Sequence, residues 1–136
     1  SSIFIVGDYV TIEESKLDRP FSDDAGLFFI EVLDILGINP FDLWFTVCQS
    51  CHSISPKNEF AEKCANEHLI PSILKKKPKK LIVSGEVSWN ILSNINIDNC
   101  SILKIPDYRE IHKSGGFNSS DYMAFADQIA SLLKST

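Results

Sequence analysis

Apolar residues in this chain come in two rhythms. Short, mostly apolar runs sit at Ile3-Phe4-Ile5-Val6, Leu43-Trp44-Phe45-Thr46-Val47, Leu81-Ile82-Val83 and Ile102-Leu103-Lys104-Ile105. Runs of this length and continuity suit parallel strands covered on both faces. Between them lie segments with apolar positions three and four apart, such as Phe28, Phe29, Val32, Leu33 and Leu36, which suit one face of a helix. The pattern predicts strands over 2–7, 43–48, 81–84 and 101–105. It predicts helices over 25–36, 87–92 and 121–134, and a helical region over 57–74 interrupted near Pro71, where a backbone donor is missing. Gly37 stands where the first helix should stop, Asn39-Pro40 marks a turn, and Gly85 allows a tight one. Residues 94–99 and 106–118 read as loops, with Ser119 or Ser120 capping the last helix.

Strands alternating with helices imply a three-layer α/β/α domain with a four-stranded, mostly parallel central sheet, spanning 1–136 as a single domain. In such sheets ligands bind outside the carboxyl ends of the strands. The loops over 8–24, 49–56, 85–87 and 107–116 would therefore converge on one rim, and chemistry is expected there.

Composition sharpens the picture in three respects. No apolar run approaches the roughly 18 residues of a membrane span. The net charge of -5 argues against strong autonomous binding to duplex DNA, which favours basic domains. Four cysteines fit a reducing compartment or a metal better than a disulfide framework. The chain enters its first strand at once and has no initiator Met or signal peptide, which suggests a domain excised from a longer protein.

Candidate chemistry follows the predicted strand ends. The first strand leads into Gly7-Asp8-Tyr9-Val10-Thr11, the following loop carries Arg19-Pro20-Phe21, and Ala25-Gly26 opens a helix. Asp42 to Thr46 then precede Val47, Cys48 and Cys51, and the fourth strand ends in Ile105-Pro106-Asp107-Tyr108. Together these segments resemble the iron–sulfur-type, family 4, uracil-DNA glycosylases, over most of the chain. The resemblance implies that Asp8 stands at the water-positioning acid of a Gly-Glu-x-Pro-Gly motif. It implies that Phe21 would stack on a flipped base, with Gly7, Tyr9, Arg19, Pro20, Tyr108 and Arg109 around it. The departures are as informative. Val10 and Thr11 replace the Pro and Gly of that motif. Val47 stands where an Asn would read the uracil edge, and a site built on paired hydrogen bonds loses discrimination without them. Ile105 replaces a His that stabilises charge on the uracil oxygen, a loss that typically costs about 10²–10³ in rate. His112, seven residues on, is the remaining candidate for that work. Cys51 and Cys64 match cluster cysteines, but the family's upstream Cys pair has no counterpart here. An iron–sulfur cluster would need two cysteines from further upstream, so no cofactor is expected. Cys48, Cys51, His52 and Cys64 form the alternative metal set, with adjacent Cys51 and His52 awkward for one tetrahedral ion.

The reading is a uracil-DNA glycosylase-like domain without activity, a pseudoenzyme binding DNA or protein in replication or repair. The implied setting is intracellular, cytoplasmic or nuclear, with a viral source among the options and no membrane. One alternative is an active glycosylase of altered base specificity, hydrolysing an N-glycosidic bond with Asp8 and His112. The other is an unrelated small-molecule or redox domain using Cys48 and Cys51. The run Lys75-Lys76-Lys77-Pro78-Lys79-Lys80 resembles a nucleic-acid patch, but it falls at the sheet's amino edge and reads better as a solvated loop.

Overall fold

A computed structural model describes residues 2–9, 21–49 and 62–134. Strand β1 (Ile3–Tyr9) leads to α1 (Asp24–Ile35), then β2 (Trp44–Gln49), α2 (Ile70–Lys76), β3 (Lys80–Ser84), α3 (Glu86–Leu92), β4 (Ser101–Ile105), α4 (Tyr108–Lys113) and α5 (Tyr122–Lys134). The four strands form one parallel sheet in the order β2-β1-β3-β4. The chain adds β2 on one side of β1 and β3 on the other, so the strand order reverses at β1. In a doubly wound sheet this is the point where a crevice opens.

Alternation along the central strands divides the core into two. Ile5, Val47, Ile82 and Ile105 point to one face, where Phe28, Phe29, Val32 and Leu33 of α1 and Phe125 and Ile129 of α5 cover them. Phe4, Val6, Leu81 and Val83 point to the other, under Ala65, Leu69, Ile73 and Leu92. Helices cover both faces, giving the three-layer α/β/α architecture that the alternating pattern predicts.

The first helix ends as Gly37 suggests. Gly37 takes φ +77, and the Ile38 N–H donates to the Leu33 carbonyl at 2.9 Å, closing the helix with a left-handed residue.

Three expectations are corrected. β1 continues through Asp8 to Tyr9, which pairs with Gln49, so the strand does not stop at Gly7. The helix carrying Pro71 is not interrupted. A π-helical stretch, Ala65–Leu69, lies just before it, and the Ile70 N–H donates to the Ala65 carbonyl. That wider turn accommodates a residue without an N–H. Residues 106–118 are not one loop. They contain α4 and a 3₁₀ turn, Gly116–Asn118. Tyr108 and Ile111, three apart and buried, give α4 its inner face, and Asp107 caps its start.

Gly26 lies where α1 meets the backbone of Phe21. A β-carbon there would overlap Phe21's main chain, which cannot swing aside as a flexible side chain would. Gly26→Ala should therefore destabilise the domain by about 1–3 kcal/mol, as overpacking does. Thermal denaturation checks this, the expected result being a Tm lowered by several degrees.

Candidate functional site

The carboxyl ends of β1, β3 and β4 bring together three helix starts, and each start has unpaired backbone N–H groups. A carboxylate meets each one. Asp8, on β1, reaches across to α3, where its Oδ1 accepts the Ser88 N–H at 2.8 Å and also the Ser88 hydroxyl. Gly85 makes this possible. It has φ +126, and its missing side chain leaves the space that the Asp8 carboxylate fills. Asp23 caps α1, accepting the Gly26 N–H at 2.9 Å, while its other oxygen takes Arg109 Nη1 at 2.6 Å. Asp107 caps α4 by accepting the Arg109 N–H at 3.0 Å.

The two Ser residues of the β3–α3 junction tie the rim together. Both Ser84 and Ser88 are fully buried. Ser84 Oγ donates to the Pro106 carbonyl at 3.2 Å and accepts the Tyr108 N–H at 3.1 Å, joining β3 to the start of α4. The Arg109–Asp23 ion pair is largely shielded, with 14% and 9% of the side chains exposed, and it locks α4 against α1.

Asp107 has its carboxyl pushed up to about 6. Burial is the main cause, the backbone hydrogen bond from Arg109 opposes it, and the nearby Asp8 charge adds to the rise.

Several residues expected at a base-binding site are at the rim, but they face inward. Phe21 is only 3% exposed. Tyr108 stacks on it with centroids 4.8 Å apart, and Phe45 and Phe29 close in at 5.0 and 5.8 Å. Its ring also approaches Gly7, where a β-carbon would lie 3.4 Å from Cζ and 3.6 Å from Val47 Cγ1. Gly7, Phe21, Val47 and Tyr108 are thus brought together as core. Arg109 is committed to Asp23. His112 lies one helical turn beyond Tyr108, exposed, with its ring 5.6 Å from that of Phe28. It lines a cleft of about 470 Å³ with Asp24, Leu27, Glu31 and Phe117, a cleft to which Asp8 does not contribute. Tyr9 sits in β1 next to Asp8.

Arg19, Pro20, Cys51 and His52 lie outside the described residues, and so do the side chains of Tyr9 and Cys48. Cys64 is buried at the head of the π-helical stretch. Among the described residues no group of three or more His, Cys, Asp or Glu could hold a metal ion. Cys100, half-buried, has its thiol raised by burial.

The lysine-rich run lies at the opposite edge and extends from the end of α2 into β3, so it is not a loop throughout, and two of its members have structural work. Lys80 Nζ donates to the Leu132 carbonyl at 2.7 Å, a cation at the carboxyl end of α5. Lys76 Nζ lies 3.6 Å above the Trp44 ring.

The sequence reading missed Asp107, Ser84 and Ser88. Asp107 followed by Glu110 has the spacing of a helix-capping pair and was available as a signal. The two serines had no such signal, because only the fold shows that they face a neighbouring strand end. Comparison with protein-family models and with curated proteins finds no match, so the family resemblance rests on the chain's own segments.

Two measurements test this geometry. Asp8→Ala would strand the buried amide and hydroxyl of Ser88 and should lower stability by about 1–3 kcal/mol. Ser88→Ala should overlap with it in a denaturation double-mutant cycle rather than add. For Asp107, the sign follows from a folded-state value near 6 against an ordinary 3.8. Folding takes up a proton between these values, so this group opposes folding above pH of about 6 and is relieved as pH falls toward 4. The Tm of the wild type minus that of Asp107→Asn should rise as pH falls through this window, and Asp8→Asn should move the window down.

Proposed function

We propose that this chain is a uracil-DNA glycosylase-like domain without base-excision activity that serves as a binding module in a DNA replication or repair assembly. The observation that carries the reading is the filling of the base position. Phe21, expected to stack on a base, already has Tyr108 on its ring and Phe29, Phe45, Gly7 and Val47 around it. Accepting a base would mean displacing buried aromatic rings, each worth several kcal/mol of packing by the usual cost of about 3–5 kcal/mol for Phe→Ala.

The catalytic side is consistent with this. Glycosidic cleavage needs a carboxylate near the sugar, a donor for charge on the leaving base, and a base held out of the stack. Asp8 is the carboxylate, but its Oδ1 is committed to Ser88. Val47 and Ile105 are buried hydrocarbons where base-facing hydrogen bonds would form. His112, the remaining donor, would have to leave Phe28 to reach the rim.

The charge at the rim favours protein over DNA as the partner. Among the described rim residues, Asp8, Asp23 and Asp107 stand with Arg109, which is paired to Asp23, and a phosphate backbone needs cations. Among the described residues no helix is long and apolar enough to cross a membrane.

The test is base release from single- and double-stranded DNA carrying uracil or modified pyrimidines. The wild type should release no base, and Asp8→Ala should be indistinguishable from it. Release that disappears with Asp8→Ala would overturn the reading in favour of an active glycosylase of altered specificity.

A further inference from the structure

The outer surface of α1 carries two depressions that share Leu27 as their dividing ridge. One is the cleft of about 470 Å³ with Phe28, Phe117 and His112. The other, about 560 Å³, is lined by Phe21, Ile30, Pro40, Phe41 and Leu43, and by Trp44 and Phe45 of β2. Across the two, the apolar side chains Phe117, Leu27, Phe41 and Trp44 are all open to solvent, Phe41 at 95% and Leu27 at 55%. Scattered exposed apolar residues are ordinary, but a band joining two clefts marks an interaction surface.

The chain segment that supplies most of this band carries charge of one sign. From Phe21 to Gln49 the sequence has the carboxylates of Asp23, Asp24, Glu31, Asp34 and Asp42 and not one Lys, Arg or His. Asp24, Glu31 and Asp34 lie three or four residues from Leu27 or Ile30 on α1, hence beside them on the helix surface. All three, and Asp42, are exposed. Among the described residues, Arg109 borders the band paired with Asp23, and Lys76 lies over Trp44.

We propose that this band is the docking surface of the binding module, and that its occupant is a partner-protein segment, an amphipathic helix with aliphatic or aromatic anchors flanked by Lys and Arg. The proposal rests on the binding-module reading and names its partner's chemistry. Apolar anchors would enter the clefts on either side of Leu27, and basic flanks would meet the carboxylates, the arrangement of a helix laid in a groove. The same charge argues against other occupants. Nucleic acid and anionic lipid would be repelled. A two-fold pair of this chain would bring the carboxylates of one copy against those of the other.

The experiment is a titration of the chain with a synthetic amphipathic peptide bearing leucine at i, i+3, i+4 and i+7 and lysine elsewhere, followed by amide chemical shifts. Saturable shifts at Asp24–Ile35, Pro40–Phe45 and Gly115–Asn118 are expected. A peptide with serine for leucine, or glutamate for lysine, should bind at least about tenfold more weakly, as loss of an interface anchor implies. Phe41→Ser alters a side chain that is almost wholly exposed, so the fold should survive, as an unchanged Tm would show, while affinity falls to the same degree. Equal binding of the serine peptide, shifts confined to other surfaces, or a dimer by light scattering that Phe41→Ser dissolves would each overturn the proposal. Base release in the excision assay would instead overturn the inactive-module reading and leave the peptide result standing.

Discussion

A parallel sheet forces one constraint on this chain. All strands end on one rim, the helices that follow begin there, and each start has N–H groups that must find acceptors. Carboxylates supply them. Asp8 reaches from β1 to α3, Asp23 closes α1 and holds Arg109, and Asp107 closes α4 beside Asp8. Ser84 then binds the β4–α4 junction to β3. These bonds join the β1, β3 and β4 ends into one unit. Among the described residues, the rim's carboxylates are consequently engaged within the fold, with Asp8, Asp23 and Asp107 each accepting a helix-start N–H.

Beneath that polar layer lies an aromatic one. Phe21 adopts φ +62, a left-handed conformation that is costly for a bulky side chain. Its burial against Phe29, Phe45 and Tyr108 offsets the strain. Gly7 permits the approach because it has no side chain, and Val47 completes the contact. Val47 and Ile105 carry the hydrophobic core up to the strand ends. Both features favour the same outcome, a domain whose described rim residues support the fold and whose open apolar surface lies outside, across α1.

Much of the architecture was legible in the sequence. The four apolar runs and the helical spacing of Phe28, Phe29, Val32 and Leu33 follow directly from burial, and β4 falls at 101–105 as expected. The errors arose where local rules met tertiary context. Pro71 reads as a break, but a π turn accommodates it. The glycines at 115 and 116 make 106–118 look like a loop and obscure the Asp107–Glu110 capping pair. For the candidate site, the sequence pattern indicates which residues stand at the strand ends but not what surrounds their side chains. Gly7, Asp8, Val47 and Tyr108 do gather at the strand ends. Whether Phe21 faces solvent or core depends on its backbone angle and on Tyr108, more than eighty residues away in sequence, and no local pattern encodes that. Arg109's engagement with Asp23 is invisible for the same reason.

The central claim is that aromatic side chains occupy the place where a base would stack. An amide-resolved titration of the folded chain with free uracil, and with a uracil-containing single-stranded oligonucleotide, tests it most directly. The account predicts no saturable shift at Gly7, Phe21, Val47 or Tyr108, because their contacts are already made within the core. Saturable shifts at these four residues, with displacement of the Tyr108 ring from Phe21, would contradict it.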